Sequence, residues 1–373
     1  MRVALVHDWL TGMRGGEKCL EVFCELFPEA DLYTLLYLPE HVSPTIRSMK
    51  VHSSWFNRVP GATQYYRYAL PLFPTLIENF ALRNYDLVLS SSHCVAKGIV
   101  PAGALHISYV HSPMRYVWDM HGAYFGSTTP WPVRAGMSLC RGYLQRWDVR
   151  SAKRVDSFVA NSQNIAGKIR SLYNRDAVVI YPPVDIEKFY ISSVQESFYL
   201  IVSALVPYKN IEIAIKAFNQ LGLPLKIAGE GPRREALEKL AGPSIEFLGW
   251  VDEGDLARLC ASCQALIFPG EEDFGIVPLE AQASGRPVIA YKKGGVTESV
   301  AGIGDGQQRP TGVFFAESTS ESLIKAVERY VESKHLFEPE RLRDHAAQFS
   351  RPTFKSKIKD FIDQTFSERL ERR

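Results

Sequence analysis

Short apolar runs rich in β-branched residues alternate with longer stretches of helical period along almost the whole chain, and nothing else in the sequence restricts the fold so tightly. That alternation is the pattern of βαβ units, in which parallel strands are joined by crossover helices. In the first half the spacing predicts strands at RVALVH (2–7), YDLVLSSS (85–92), HISYVH (106–111), DSFVANS (156–162) and AVVIYPPV (177–184). In the second half it predicts YLIVSAL (199–205), PLKIAG (224–229), IEFLGW (245–250), ALIFPG (265–270), PVIAY (287–291) and GVFFA (312–316). Helices are predicted over 209–220, 232–241, 252–263, 275–285 and 318–333, with a last one at 352–371. The fold class that follows is α/β, with two doubly wound sheets.

A chain of 373 residues has the length of two such domains. Tyr181-Pro182-Pro183-Val184-Asp185 marks the junction, because consecutive prolines hold an extended connection and stop either flanking element from continuing. The expected domains are 1–182 and 183–351, followed by the helix from about 352 to 373. Ligands of doubly wound sheets sit beyond the carboxyl ends of the strands, where the strand order reverses. Two such domains facing each other are expected to place the active site in the cleft between them.

The composition, 46% hydrophobic and 23% charged, is globular and excludes a disordered or collagenous chain. No apolar run reaches the length of a spanning helix and the first residues enter a strand pattern, so the expectation is a cytoplasmic protein. The six cysteines are expected to be reduced, with Cys260 and Cys263 packed at the end of a helix. Residues 1–180 carry 19 Lys/Arg against 13 Asp/Glu, whereas the remainder carries 24 against 28. Arg47, Lys50, Arg58 and Arg67 lie among Trp55, Phe56, Tyr65, Tyr66 and Tyr68, with no carboxylate between 47 and 77. That stretch reads either as a solvated face or as a peripheral surface for an anionic membrane or phosphorylated acceptor. Nucleic acid is not indicated, since the basic groups are patchy.

Several motifs sit at strand ends. His7-Asp8 closes the first strand and is followed by WLTGMRGGEK, whose Gly15 and Gly16 allow close backbone approach at a helix start. That arrangement suits a diphosphate cradle or a plain strand-to-helix turn. His111 ends another strand in YVHSPMRYVWD, either as a catalytic side chain or as a structural histidine, with Arg115 and Asp119 close behind as a local ion pair or more. In PGEEDFGIVPLEAQASGRPVIAY (269–291), acids fill a turn before a helix. They read as caps, or as hydrogen-bond partners for sugar hydroxyls, with Glu280 placed to take a ribose diol. Lys209 opens a helix after YLIVSALVPYKN, where its ammonium is either a surface charge or a diphosphate contact. The AGEGP (228–232) and LGWVDE (248–253) turns add backbone edges suited to a base.

Taken together, VHDWLTGMRGGEK, SSSHCVAKG, YVHSPMRYVWD, VIYPPVD, LVPYKNIEIAIKAFN, AGEGP, FLGWV and EEDFGIVPLEAQASGRPVIAYKKGGVTESV resemble the retaining GT-B-fold glycosyltransferases of family 4. The nearest branch is the mannosyltransferase-like one that builds bacterial O-antigens and exopolysaccharides. Glu272 and Glu280 have the spacing of that family's Glu-x7-Glu motif. The resemblance implies a C-terminal domain that binds the nucleotide sugar, an N-terminal domain that binds the acceptor, and a last helix that crosses back to the N-terminal domain.

It further implies that Glu280 holds the ribose and that Glu272 contacts the transferred sugar, with the N–H groups of Asp273, Phe274 and Gly275 nearby. Lys209, Gly15 and Gly16 would meet the diphosphate, and His111 the anomeric centre. The implied reaction moves a hexose, mannose from GDP-mannose, onto a lipid-linked saccharide with retention, without a metal or other cofactor. One position departs from the pattern: Ser203-Ala204-Leu205 carries alanine where the family usually has a diphosphate-binding arginine. Arg14 and Arg115 are the candidate replacements. The alternatives are a nucleotide-sugar-binding scaffold of the same fold, with weak or no catalysis, and a transferase that uses a UDP-sugar. A nicotinamide-dependent oxidoreductase is disfavoured, because the fingerprint glycines and the acid about 20 residues on are missing.

Overall fold

The computed structural model describes residues 1–119, 121–124, 131–306 and 309–371. They form two compact units, Met1–Pro182 together with Phe354–Arg373, and Pro183–Thr353.

The first unit is built on strands β1 (Val3–His7), β2 (Asp31–Thr34), β3 (Lys50–Ser53), β4 (Leu87–Ser92), β5 (Leu105–Val110), β6 (Ser157–Ala160) and β7 (Ala177–Val179). Every pairing is parallel, in the order β3-β2-β1-β4-β5-β6-β7. All residues of β1, β4 and β5 are buried, as expected for central parallel strands covered on both faces. The order reverses between β1 and β4, so the loops leaving their carboxyl ends part there and open a crevice. Strands β2 and β3 were not among those predicted. At four residues each, DLYT and KVHS are too short to show a period, and β3 is an edge strand with Lys50 and Ser53 exposed. Strand β7 is also shorter than predicted and stops before the proline pair, whose nitrogens have no hydrogen to donate.

Packing explains why the last helix, Arg351–Glu371, belongs with this first sheet. Its Phe354, Ile358 and Ile362 lie four residues apart along one face and are buried in the same cluster as Phe23 and Tyr109. The rings of Phe23 and Phe354 stack 5.9 Å apart, and Tyr109 meets Phe354 edge-on at 5.6 Å. Burying each such side chain stabilises by about 1.5–3 kcal/mol. Lys355 pairs with Glu25 at 3.0 Å and Arg369 with Asp156 at 3.1 Å.

A second anchor is polar. The ammonium of Lys97, wholly buried after β4, donates to Asp148 O at 2.7 Å and Ser151 Oγ at 2.8 Å, and lies 2.9 Å from Asp148 Oδ1. Trp118 Nε1 and the Tyr173 hydroxyl each donate to Asp148 Oδ2 at 2.8 Å. These bonds fasten the helix Trp131–Ala152 to the sheet. Gly98 is required beneath it, because a Cβ there would lie 2.4 Å from the Trp147 ring.

The second unit has strands β8 (Tyr199–Val202), β9 (Leu225–Ala228), β10 (Ile245–Gly249), β11 (Leu266–Phe268), β12 (Val288–Tyr291) and β13 (Gly312–Phe315), in the parallel order β10-β9-β8-β11-β12-β13. Here the order reverses between β8 and β11. The helices Ile211–Leu221, Glu253–Ser262, Val277–Ala283 and Ser320–Glu332 fall where the period places them, each a little shorter than predicted. All six cysteines are free. Burial pushes the Cys263 thiol up to about 12 and raises Cys260 as well, which suits packing rather than reactivity.

Candidate functional site

Each unit brings its predicted residues to the carboxyl end of its sheet, where the strand order reverses. In the first unit the crevice is organised by Asp8, the residue after β1. Its carboxylate accepts from four successive backbone N–H groups beyond β4: His93 at 2.7 Å, Cys94 at 3.0 Å, Val95 at 2.5 Å and Ala96 at 2.7 Å. His93 Nδ1 lies 3.1 Å from the same carboxylate. A buried carboxylate wrapped in this way holds the loop as one rigid piece, since every N–H it binds would otherwise be buried without a partner.

His111, one residue beyond β5, is held by its backbone. Its N–H donates to Ser92 O at 2.8 Å, and its carbonyl accepts from Asn161 Nδ2 at 3.0 Å. Its ring Nε2 lies 2.8 Å from Ser91 Oγ, which in turn lies 3.1 Å from His7 Nδ1. His7 Nε2 faces Glu17 Oε1 at 3.9 Å, and Glu17 Oε2 accepts from the Arg14 N–H at 3.1 Å in the first turn of the helix Gly15–Leu26. Burial, reinforced by the charges of His93 and His7, holds His111 well below the ordinary imidazole value, so its ring is neutral near pH 7. Burial likewise takes His93 down to about 3. For Glu17, burial pulls upward, but the contact with His7 and the charges of His7 and His93 outweigh it and the carboxyl sits below its ordinary value.

Gly16 lies against these rings. A Cβ there would stand 3.4 Å from His7 Cε1 and 3.6 Å from His111 Nε2, in ordinary contact, so glycine at 16 keeps the helix start open above His111. Arg14 and Arg115 both contribute to the field that lowers His93, and Arg115 to that at His111. Asp119 pairs with Lys168 at 2.8 Å.

In the second unit Lys209 ends the short turn after β8, and Glu272 lies in the turn after β11. Although 63 positions apart, they form an ion pair, Nζ to Oε1. Glu271 pairs with Lys293 at 3.0 Å. The acidic turn rests on Gly294 and Gly295, where a Cβ would come within 2.4 Å of Glu272 O and 2.3 Å of Asp273 O respectively. Gly275 takes a left-handed φ of 88°, which turns the chain into the helix Val277–Ala283. The Phe274 side chain is buried against Phe349, 5.9 Å between centroids, so what this residue has to offer a ligand is its backbone. Glu280 is 5% exposed on the helix, and its charge adds to the burial that raises the Cys260 thiol.

The AGEGP turn packs onto the segment after β8. A Cβ at Gly229 would lie 2.0 Å from Ser203 O, and one at Gly231 2.5 Å from Leu205 O. Ala204 in that segment is exposed. Sequence reasoning named His7 and Asp8 only as a strand ending, and gave Ser91 and Glu17 no role. The signal available for them was their position at the ends of β1 and β4 and in the first helical turn.

The Glycosyltransferase Family 4 pattern matches residues 15–188, and the Glycosyl transferases group 1 pattern matches residues 185–349. O-antigen chain mannosyltransferase C of Escherichia coli is 27% identical over 192 residues, 46% of this chain and 50% of that protein. The O-antigen chain mannosyltransferase RfbU of Salmonella typhimurium is 30% identical over 151 residues, 37% of this chain and 43% of that one. The chain thus spans about half the length of the curated relatives it matches. Among solved structures, Anabaena HepE in complex with UDP superposes with a TM-score of 0.70 at 18% identity, over 98% of this chain and 100% of that one.

Proposed function

Because the chain belongs to the family 4 glycosyltransferases of GT-B fold, we propose that it moves a sugar, mannose in our reading, from a nucleotide-sugar donor to a lipid-linked saccharide during surface polysaccharide synthesis. The observation that carries this reading is the meeting of Lys209 and Glu272 where the second sheet's strand order reverses. A cation for a leaving diphosphate and a carboxylate for sugar hydroxyls stand side by side there. Glu280 takes the ribose, and the N–H groups of Asp273, Phe274 and Gly275 line the same turn. In the first unit His111, Gly15 and Gly16 meet the sugar and diphosphate. GDP-mannose is the proposed donor, since the O-antigen relatives are named as mannosyltransferases.

The reaction proposed is transfer with retention. The bond from anomeric carbon to diphosphate breaks, the acceptor oxygen bonds to the same face, and its proton passes to the departing phosphate oxygen. No metal is invoked, because Glu271 and Glu272 are each already compensated by a lysine. We place the acceptor on the first unit and the protein at the inner membrane face. Trp55, Tyr65 and Tyr68 are 60%, 57% and 52% exposed, with Arg58 and Arg67 interleaved. Among the described residues no helix is long and apolar enough to cross a membrane. Co-sedimentation with anionic liposomes should fall as salt rises, and an interaction indifferent to salt would refute the surface assigned here.

Ala204 favours a second reading, a binding scaffold with weak or no turnover, because an exposed methyl group stands where a diphosphate cation would reach out. Calorimetric titration with GDP-mannose, GDP, UDP-glucose and UDP, on the wild type and on Glu280→Ala, tests both readings. Selective GDP-mannose binding that is lost in the variant, with slow GDP release, supports the transferase. Preference for UDP-glucose moves the donor to a UDP-sugar, binding without release in the presence of lipid-linked acceptors favours the scaffold, and no binding at all removes both.

A further inference from the structure

Four side chains of the first unit form a chain that ends at His111, and the order of the protons along it follows from where its one charge lies. Ser91 Oγ has a single hydrogen and stands between two ring nitrogens, His7 Nδ1 at 3.1 Å and His111 Nε2 at 2.8 Å. In the state where both rings are neutral, two orders exist. Either Ser91 donates to His111 and accepts from His7, or it donates to His7 and accepts from His111.

Glu17 decides between them. Its Oε1 faces His7 Nε2 at 3.9 Å, and that nitrogen is buried with no hydrogen-bond partner, so nothing competes with the carboxylate for its orientation. A lone pair at Nε2 would point at a negative charge across a buried gap, whereas an N–H there points its positive end at it. The carboxylate is itself held in place, by the Arg14 N–H at 3.1 Å and by its position in the first turn of a helix. The hydrogen of His7 therefore sits on Nε2, leaving Nδ1 to accept from Ser91. Ser91 then accepts from His111 Nε2–H, and His111 is left with a bare lone pair on Nδ1, which no described residue hydrogen-bonds.

We propose that Glu17, His7 and Ser91 are positioning residues that hold His111 as the Nε2–H tautomer, so that Nδ1 receives a hydroxyl of the bound sugar. A phosphate oxygen, which has no hydrogen to give, is turned away from that lone pair, so the histidine reads the sugar and leaves the diphosphate to other groups. A sugar hydroxyl becomes a stronger donor as positive charge develops at the anomeric carbon, and this bond therefore tightens in the transition state. The inference rests on the reading that His111 lies in the donor site.

The test is long-range 1H–15N correlation of the histidine-labelled full chain at a pH where the spectrum shows both rings neutral, with His111 assigned by its loss in His111→Asn. The expected pattern is a protonated Nε2 and a bare Nδ1 in the wild type. In Ser91→Ala and Glu17→Gln that single pattern should give way to a mixture, with nucleotide release slowed roughly 10–100-fold, as for groups that orient a metal-ligating histidine. Ser91→Thr, which keeps the hydroxyl, should restore both. An Nδ1–H tautomer at His111 in the wild type overturns the proposal, and so does an unchanged pattern in Ser91→Ala, and neither result depends on turnover. If no nucleotide sugar binds the wild type, it is the donor-site reading that fails, and the tautomer measurement still decides the proton order.

Discussion

The two units share a plan but bring charge to their crevices in opposite ways. Both are parallel sheets with one reversal of strand order, and both place their distinctive side chains just beyond it. The first unit uses groups locked to backbone or to one another: Asp8, wholly buried and wrapped by four N–H groups, and partly buried histidines held neutral by desolvation. The second uses ion pairs that solvent reaches, with Lys209 and Glu272 14% and 26% exposed and Lys293 and Glu271 58% and 40%. An arrangement locked to backbone in this way is rigid before any ligand arrives. A half-exposed pair can open and offer each partner to a ligand, at little cost to the fold.

The largest effect expected from this contrast is on stability. Asp8→Ala leaves four N–H groups without their acceptor, at about 1–3 kcal/mol each where water cannot reach them, so the first unit should lose at least about 4 kcal/mol. Glu272→Ala should cost the second unit about 1 kcal/mol or less. Urea denaturation followed by hydrogen–deuterium exchange of peptides from each unit separates the two losses, whereas tryptophan fluorescence reports mainly on the first unit, since of the six tryptophans only Trp250 lies in the second. Equal losses in the two variants would erase the distinction. Next in size is Lys97→Ala, which strands the Asp148 carboxylate among Trp118, Tyr173 and Ser151 and should cost about 3–5 kcal/mol, read in the same experiment.

How much of this was legible in the sequence depended on what kind of signal each part leaves. Eleven strands and the main helices of the second unit announce themselves through periodicity, because burial of a face repeats at a fixed spacing. Strands β2 and β3 do not, being four residues long and partly polar at the sheet edge. Glu272 and Glu280 lie close in sequence and were readable as a motif, and Lys209 as a cation at a strand end. Their pairing across 63 positions was not, because only the sheet order brings the two loops together. For the same reason Ser91 gave no sign of its role: a serine in a serine run becomes a bridge only once β1, β4 and β5 lie side by side.

The third effect is acid sensitivity. Burial holds His93 at about 3 and His106 at about 4, with His111 also well below its ordinary value. The unfolded chain therefore binds more protons than the folded one between about pH 6.5 and pH 4. Stability is complete above that window and drains as pH falls through it, by about 1.4 kcal/mol per pH unit for each histidine that titrates. By pH 5.5 the first unit should have lost about 2–4 kcal/mol, and Glu17, held below its ordinary value, adds to the loss only below about pH 4.5. In the second unit His345 is the histidine lowered by burial, against a hydrogen bond to Ser299 O that raises it, so its loss should be smaller. Urea midpoints read for each unit from pH 7.5 to 4.5 check the order, and a second unit that softens first would reverse the comparison.

The smallest effect is the most informative about function, because it asks whether the Lys209–Glu272 pair is a structural bridge or a waiting pair of ligand contacts. In the ligand-free protein, Lys209→Gln, Glu272→Gln and the double variant should show a coupling of about 0.5–1 kcal/mol in stability, as for a partly exposed ion pair. If the ammonium turns to a diphosphate and the carboxylate to sugar hydroxyls, the two no longer face each other once the donor is bound. The cycle repeated at saturating nucleotide sugar should then give a coupling near zero, while each single variant binds the donor more weakly than the wild type. A coupling of the same size with and without donor would mean that the pair stays closed. The second crevice would then be as fixed as the first, and Lys209 and Glu272 would have to be withdrawn together as ligand contacts.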